Sequence, residues 1–278
     1  MNELTSVIEA NVAAAFAEDI GSGDLTAQLI PATTHAGARV ITREDAVICG
    51  APWFDACFRK LDSNVSVTWM INEGEHATAG QTLVEIAGPA RAMLTGERTA
   101  LNFLQLLSAV ATLTHRYVEA VAGTRAKIVD TRKTLPGLRL AEKYAVRTGG
   151  GTNHRSGLYD GILIKENHIA AAGGIEAALR EAARISPPGV WTQIEVEDFD
   201  QLRAALAAGA KMILLDNMNN AQMSEAVKIT AGRAELEASG GVTLETVREI
   251  AETGVDRISI GGLTKDVKAI DLSMRFVG

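Results

Sequence analysis

Two rhythms of apolar and polar positions divide the chain. In the first part, short apolar runs at 38–42, 45–49, 65–71 and 82–86 are broken by turn residues, with one helical stretch at 52–61. This pattern predicts a small α+β domain, preceded by an amphipathic helix in MNELTSVIEANVAAAFAED. Residues 90–122 are rich in Ala, Leu and Val at helical spacing and hold no proline after Pro89, which predicts one or two long helices. Beyond them, six apolar runs alternate with helical stretches. The runs are KIVD (127–130), GILIK (161–165), TQIEVE (192–197), KMILLD (211–216), AELEAS (234–239) and DRISIGG (256–262). Strand and helix in alternation imply right-handed βαβ units around a parallel sheet, here a complete or slightly open α/β barrel. The closing AIDLSMRFV has no helix after it and is expected to return to the first domain as an edge strand. The expected division is 1–112 for the first domain, 113–267 for the barrel and 268–278 for the returning segment.

Composition adds exclusions. With 278 residues, 47% hydrophobic and 22% charged, the chain can bury a large core and is not of the disordered class. No run of about 18 apolar residues predicts a membrane span, and the acidic opening segment does not resemble a secretory leader, so a cytoplasmic protein is expected. Cys49 and Cys57 sit among apolar residues and read as buried small hydrophobes. A net charge of −7 and 4% aromatic residues disfavour a nucleic-acid surface. Cations nevertheless concentrate in one segment: Arg132, Lys133, Arg139, Lys143, Arg147, Arg155 and Lys165 face only Asp130, Glu142 and Asp160 there. An acidic chain that gathers cations this way points to a small anionic ligand. Arg139, Lys143 and Arg147 recur every fourth residue and read as a solvated helix face.

In α/β barrels ligands bind at the carboxyl ends of the strands. Every predicted strand here delivers polar, charged or glycine residues at that end: Asp130 with Thr131, Arg132 and Lys133, then Lys165, Glu195, Asp216, Ser239-Gly240-Gly241 and Ile260-Gly261-Gly262. The two glycine pairs suit close approach of backbone N–H groups to phosphate. The glycine-rich TGGGTNHRSG (148–157) precedes a strand and reads as a mobile loop carrying His154 and Arg155. Arg132, Lys133, Arg155 and Lys165 could neutralise about four negative charges, so the ligands should include a diphosphate, a dicarboxylate or both. Glu195 and Asp216, inside apolar strands, suit ribose hydroxyls or a Mg²⁺ held mainly by substrate phosphates. No HExxH or Cys/His cluster predicts a protein-caged transition metal. The segment NEGEHATAGQTLVEIAG has lipoyl-like glycine spacing but no lysine at its tip.

The run DTRKTLPGLRLAEKYAVRTGGGTNHRSGLYDGILIKENHI, with IEVED, ILLDNM, LEASGG and SIGGLTK in order, resembles the quinolinate phosphoribosyltransferase family, and EDIGSGDLTA and GERTALNFLQLLSAVAT fit it too. The resemblance implies an N-terminal α/β sandwich domain, an incomplete α/β (TIM-like) barrel and a homodimer, with higher assembly left open. It implies that quinolinate and phosphoribosyl pyrophosphate react to nicotinate mononucleotide, pyrophosphate and CO₂ in NAD biosynthesis, with Mg²⁺ riding on the pyrophosphate. Carried over by position, Arg132, His154, Arg155 and Lys165, with Arg98 from the other subunit, would take the quinolinate carboxylates, and Thr131 would also bind substrate. Lys133, Glu195, Asp216, Ser239, Gly240, Gly241, Ile260, Gly261 and Gly262 would take phosphoribosyl pyrophosphate, and Lys133, Lys165, Glu195 and Asp216 would serve the chemistry. The alternatives are a Schiff-base aldolase using Lys165, a relative of the same fold associated with molybdenum transport, and a non-enzymatic binding module.

Overall fold

The computed structural model describes residues 3–277. In chain order its helices and strands are α1 (Glu3–Asp19), β1 (His35–Thr42), β2 (Ala46–Val47), α2 (Ala51–Leu61), β3 (Ser66–Trp69), β4 (His76–Ala77), β5 (Thr82–Pro89) and α3 (Ala90–Ala120). Next come β6 (Lys127–Val129), α4 (Arg139–Thr148), β7 (Gly161–Ile164), α5 (Glu166–Ala172), α6 (Ile175–Ile185), β8 (Trp191–Val196), α7 (Phe199–Ala207) and β9 (Met212–Asp216). The last are α8 (Asn220–Thr230), β10 (Glu235–Ser239), α9 (Val247–Glu252), β11 (Arg257–Ser259), α10 (Gly262–Lys265) and β12 (Leu272–Val277). The architecture is α/β. No helix among the described residues is long and apolar enough to cross a membrane.

The chain forms two units, one of Met1–His115, Thr134–Gly150 and Leu263–Gly278, the other of Arg116–Lys133 and Gly151–Gly262. The first holds an antiparallel sheet in the order β12-β1-β5-β3 and a two-stranded β2-β4 pair. Its core reflects the sequence rhythm. Ile8, Val12 and Phe16 recur every fourth residue on α1 and are buried, as are Trp53, Phe54 and Phe58 on α2. Cys49 and Cys57 are buried free thiols, and burial pushes the Cys57 thiol up to about 12. AIDLSMRFV supplies β12, which pairs with β1 from Gly37↔Val277 to Thr42↔Leu272.

A single cut near residue 112 misses one crossing, because Thr134–Gly150 sits with the first unit. The reason is packing on α4: the Tyr144 ring lies 5.3 Å from that of Trp53, and Gly149 has room for no side chain beside the Ala111 carbonyl. The same packing corrects the reading of α4 as a solvated basic face. Arg147 is exposed, but Lys143 is 2% exposed and its neighbour Glu142 fully buried. Periodicity places 139, 143 and 147 on one side of a helix; only the tertiary partner decides whether that side meets water.

The second unit is a parallel sheet in the order β6-β11-β10-β9-β8-β7, one strand from each of the six runs. Its order is chain order rotated by one place, so strand pairing closes β11 onto β6 and leaves the ring open between β6 and β7. TGGGTNHRSG occupies that opening and is pinned there, contrary to its reading as a mobile loop. Thr152 bridges Val129 in parallel, its N–H donates to the Ile128 carbonyl at 2.8 Å, and the Thr152 carbonyl accepts the Asp130 N–H at 3.1 Å. The glycines suggest mobility, but these ladder bonds fix Thr152, and the buried Asp130 carboxylate fixes Asn153 and His154 beyond it.

Burial pushes the Glu142 carboxyl from an ordinary 4.5 up to about 7, against the opposing pull of the Leu135 N–H, which donates to Oε2 at 3.1 Å, and of Arg139. Between those values the folded chain keeps a proton that the unfolded chain has released, so stability falls as pH rises through the window, and the loss is complete above it. Glu142→Gln should therefore raise stability at pH 8 by about 1–2 kcal/mol and give no gain at pH 4, measured by urea unfolding.

Candidate active site

Side chains alternate across a strand, so each of the six strands turns every second residue into the barrel. At the carboxyl ends these inward residues line a cavity of about 420 Å³ within the second unit. β7 and the residue after it give Leu163 and Lys165, β8 gives Glu195, β9 gives Leu214 and Asp216, β10 gives Glu237 and Ser239, and β11 gives Ser259. Thr131, Arg132 and Lys133, just after β6, and His154 and Arg155, from the segment filling the opening, complete the wall.

Cations hold one side. The Arg155 guanidinium donates to the Gly161 carbonyl at 3.0 Å. Burial, and after it the neighbouring charge of Arg132, hold it below its ordinary value, with Asp160 pulling the other way. Two guanidiniums in one another's field are a cost that an arriving polyanion relieves. Asp160 also accepts the N–H groups of Ser156 and Gly157 at 2.7 and 2.9 Å, which fixes the turn behind Arg155. The Thr131 hydroxyl accepts the Lys133 N–H at 3.0 Å.

Carboxylates hold the other side. Burial pushes Glu195 up; Lys165 opposes this from 3.5 Å, and Asp216 adds to the rise. Two acidic side chains on the paired strands β8 and β9 thus repel one another and would both gain from positive charge beside them. His168 plays a local part instead, accepting the Lys165 N–H at 3.0 Å to cap α5.

Turns at the next strand ends provide backbone. Gly240 and Gly241 have φ of +109° and +60°, and a side chain on Gly240 would press into Asn217, itself left-handed at φ 54°. At Gly261 an added Cβ would come within 3.0 Å of the Lys133 side chain, so the glycine lets that lysine cross the turn. Gly262 opens the single-turn α10, and α9 begins only at Val247, so short turns, rather than long helix N-termini, follow the wall residues Ser239 and Ser259. Ile260 is buried and its N–H donates to the Val129 carbonyl, so it supports the turn from behind.

Of the residues singled out from sequence, nine lie on the cavity wall, namely Thr131, Arg132, Lys133, His154, Arg155, Lys165, Glu195, Asp216 and Ser239, whereas Gly240, Gly241, Ile260, Gly261 and Gly262 follow the strand ends without lining it. Arg98 does not line it either; it is exposed on α3 in the first unit. Sequence reading missed Leu163, Leu214, Glu237 and Ser259. Their signal is plain in the strand period, since each stands two residues before a residue that was chosen, on the same face of the same strand.

The chain matches two family models, "Quinolinate phosphoribosyl transferase, N-terminal domain" over residues 24–108 and "Quinolinate phosphoribosyl transferase, C-terminal domain" over residues 110–275. It is 45% identical over 259 residues to a Bacillus subtilis (strain 168) protein named as a probable nicotinate-nucleotide pyrophosphorylase (carboxylating), covering 93% of this chain and 90% of that one. The Mycobacterium leprae (strain TN) nicotinate-nucleotide pyrophosphorylase (carboxylating) is 43% identical over 92% of this chain and 93% of its own. Among solved structures, the nicotinate-nucleotide pyrophosphorylase from Francisella tularensis superimposes with a TM-score of 0.95 at 43% identity, covering 98% of this chain and 97% of that one. Matched by both family models over residues 24–108 and 110–275, and in fold over 98% of its length, the chain belongs to the quinolinate phosphoribosyltransferase family.

Proposed function

We propose that this chain transfers the phosphoribosyl group of phosphoribosyl pyrophosphate to quinolinate and removes the 2-carboxyl, releasing nicotinate mononucleotide, pyrophosphate and CO₂ in NAD biosynthesis. The observation that carries this reading is the division of one cavity into a cation side and a carboxylate side, with glycine turns between strand ends. A dicarboxylate acceptor and a diphosphate donor need that division. Family membership favours it over Schiff-base aldol chemistry at Lys165 and over a binding module.

Arg132 and Arg155 pair with the two quinolinate carboxylates, and Thr131 and Lys165 complete that end. Lys133 and the turns at Ser239–Gly241 and Gly261–Gly262 hold the phosphates. The ring nitrogen attacks the anomeric carbon as the bond to pyrophosphate breaks, its electron pair leaving with the pyrophosphate. Glu195 and Asp216 stabilise the positive charge that develops on the sugar between these events. The ring nitrogen is then quaternary, so when the bond to the 2-carboxyl breaks, the electrons left on the adjacent ring carbon are stabilised until a proton replaces CO₂.

No cluster of three or more metal-ligating side chains occurs among the described residues, so a protein-caged ion does not fit. Two carboxylates facing the cavity do fit a Mg²⁺ carried in on the diphosphate. Glu195 and Asp216 would face it, and when bound it neutralises charge on the leaving group.

The working form is taken to be a cytoplasmic homodimer in which Arg98 of the partner subunit joins the quinolinate end. Its exposure on α3 supports this.

Three outcomes test the reading. Labelled CO₂ should leave 2-carboxyl-labelled quinolinate only when phosphoribosyl pyrophosphate and Mg²⁺ are both present; release without the sugar phosphate, or none from folded protein, overturns it. Arg98→Ala and Lys133→Ala chains, each inactive alone, should regain part of the activity when mixed and allowed to exchange subunits, and no recovery would place each site within one chain. Gly240→Ala forces a side chain into a left-handed turn and against Asn217, and should raise KM for phosphoribosyl pyrophosphate about tenfold while that for quinolinate changes less, read by initial rates.

A further inference from the structure

The barrel interior is polar at and beneath the floor of the cavity, where barrels of this kind are ordinarily filled by branched apolar residues. Gln193 on β8 and Glu237 on β10 are each 1% exposed and point inward, two residues below Glu195 and Ser239. Gln193 Nε2 and Arg257 Nε both donate to Glu237 Oε2 at 3.1 Å. A carboxylate oxygen only accepts, so this contact settles which way the Gln193 amide faces. Its Oε1 must then be the atom 3.0 Å from His154 Nε2, and that nitrogen must carry the hydrogen.

The other ring nitrogen is settled by the same logic. The Arg155 backbone N–H points at His154 Nδ1 from 2.9 Å, and a backbone N–H only donates, so Nδ1 carries no hydrogen. One hydrogen on two nitrogens makes a neutral imidazole. Glu237 Oε1 stands 3.9 Å from Nε2, beyond hydrogen-bond reach, and is left without a hydrogen bond, whereas Oε2 takes both the Gln193 and the Arg257 donors. The Trp191 ring meets the imidazole edge-on at 4.9 Å, and Asp130 accepts the His154 backbone N–H at 2.7 Å, so the residue is held on every side.

We propose that Gln193 and Glu237, backed by Arg257, form a positioning relay that locks His154 as the neutral Nε2–H tautomer and, through the Arg155 backbone, sets the Arg155 guanidinium at the dicarboxylate end of the cavity. His154 then brings no positive charge to quinolinate; Arg132, Arg155 and Lys165, joined by the partner subunit's Arg98, carry it. None of the three relay residues needs to touch substrate. The inference rests on the phosphoribosyl-transfer reading for its kinetic part and on geometry alone for its structural part.

The test begins with the intact protein, labelled with ¹⁵N in its histidine rings and free of substrates, by long-range ¹H–¹⁵N correlation at pH 7.5. The five histidines are told apart by the resonance lost in His154→Asn. His154 should show the neutral Nε2–H pattern; an imidazolium or an Nδ1–H ring overturns the relay. In Gln193→Leu the tautomer should become mixed and KM for quinolinate should rise about tenfold, with KM for phosphoribosyl pyrophosphate within about twofold of wild type. Equal movement of both constants, or an unchanged tautomer, overturns the positioning role. Should that variant fail to fold, Glu237→Gln removes the carboxylate at constant volume and is read in the same two ways. Because the ring spectrum needs no turnover, a chain that shows the expected tautomer but releases no CO₂ condemns the reaction and leaves the relay standing.

Discussion

A buried carboxylate at the mouth of an unclosed ring carries the rest of the site. Strand pairing leaves the barrel open between β6 and β7, and Asp130, fully buried at the end of β6, fastens the segment that fills the opening. It accepts the His154 N–H at 2.7 Å and the Asn153 side-chain amide at 2.6 Å. An ionised carboxylate away from water must be paired in this way or it costs several kcal/mol. The position of Arg155, the orientation of His154 and hence the cation side of the cavity all stem from that requirement. The opening is a gain as well as a defect, because a strand closing the ring there would leave no place from which two adjacent residues reach the cavity.

Electrostatics then sorts the cavity without any ligand. Arg132 and Arg155 crowd one another on one side, Glu195 and Asp216 on the other, and Lys165 lies between, paired with Glu195. Each side is raised in energy by its own like charges and lowered by the opposite charge of the group it would receive. Such a site is complementary to a reaction in which a carboxylated ring meets a sugar that turns cationic as its diphosphate departs.

The strands were legible because a period of two is a local property: all six barrel runs became strands within three residues of their bounds. The carboxyl-end rule then found most of the cavity wall. The features that stayed hidden depended on partners distant in the chain. TGGGTNHRSG has the composition of a loose loop, and nothing in it announces that Val129 and Asp130 will hold it. Lys143 stands in a helical repeat that would suit water equally well, until Trp53 and Tyr144 show which way α4 is turned. Glu237 and Gln193 escape notice because polar residues deep in a parallel strand look like exceptions, whereas here they form a layer of their own. Ile260 shows the opposite error: its place in a glycine motif suggests contact with ligand, but its N–H belongs to the sheet.

The edge pairing of β12 on β1 has a consequence for how the chain comes into being. Thr42 and Leu272 are partners, and the whole of the barrel is made between them. A chain emerging from the ribosome can assemble its parallel sheet from neighbouring segments, but the sheet of β1 waits for β12, made after the barrel. Until then β1 offers an open row of N–H and C=O groups to any other extended segment. The pairing thus ties completion of this sheet to strands made before and after the whole barrel.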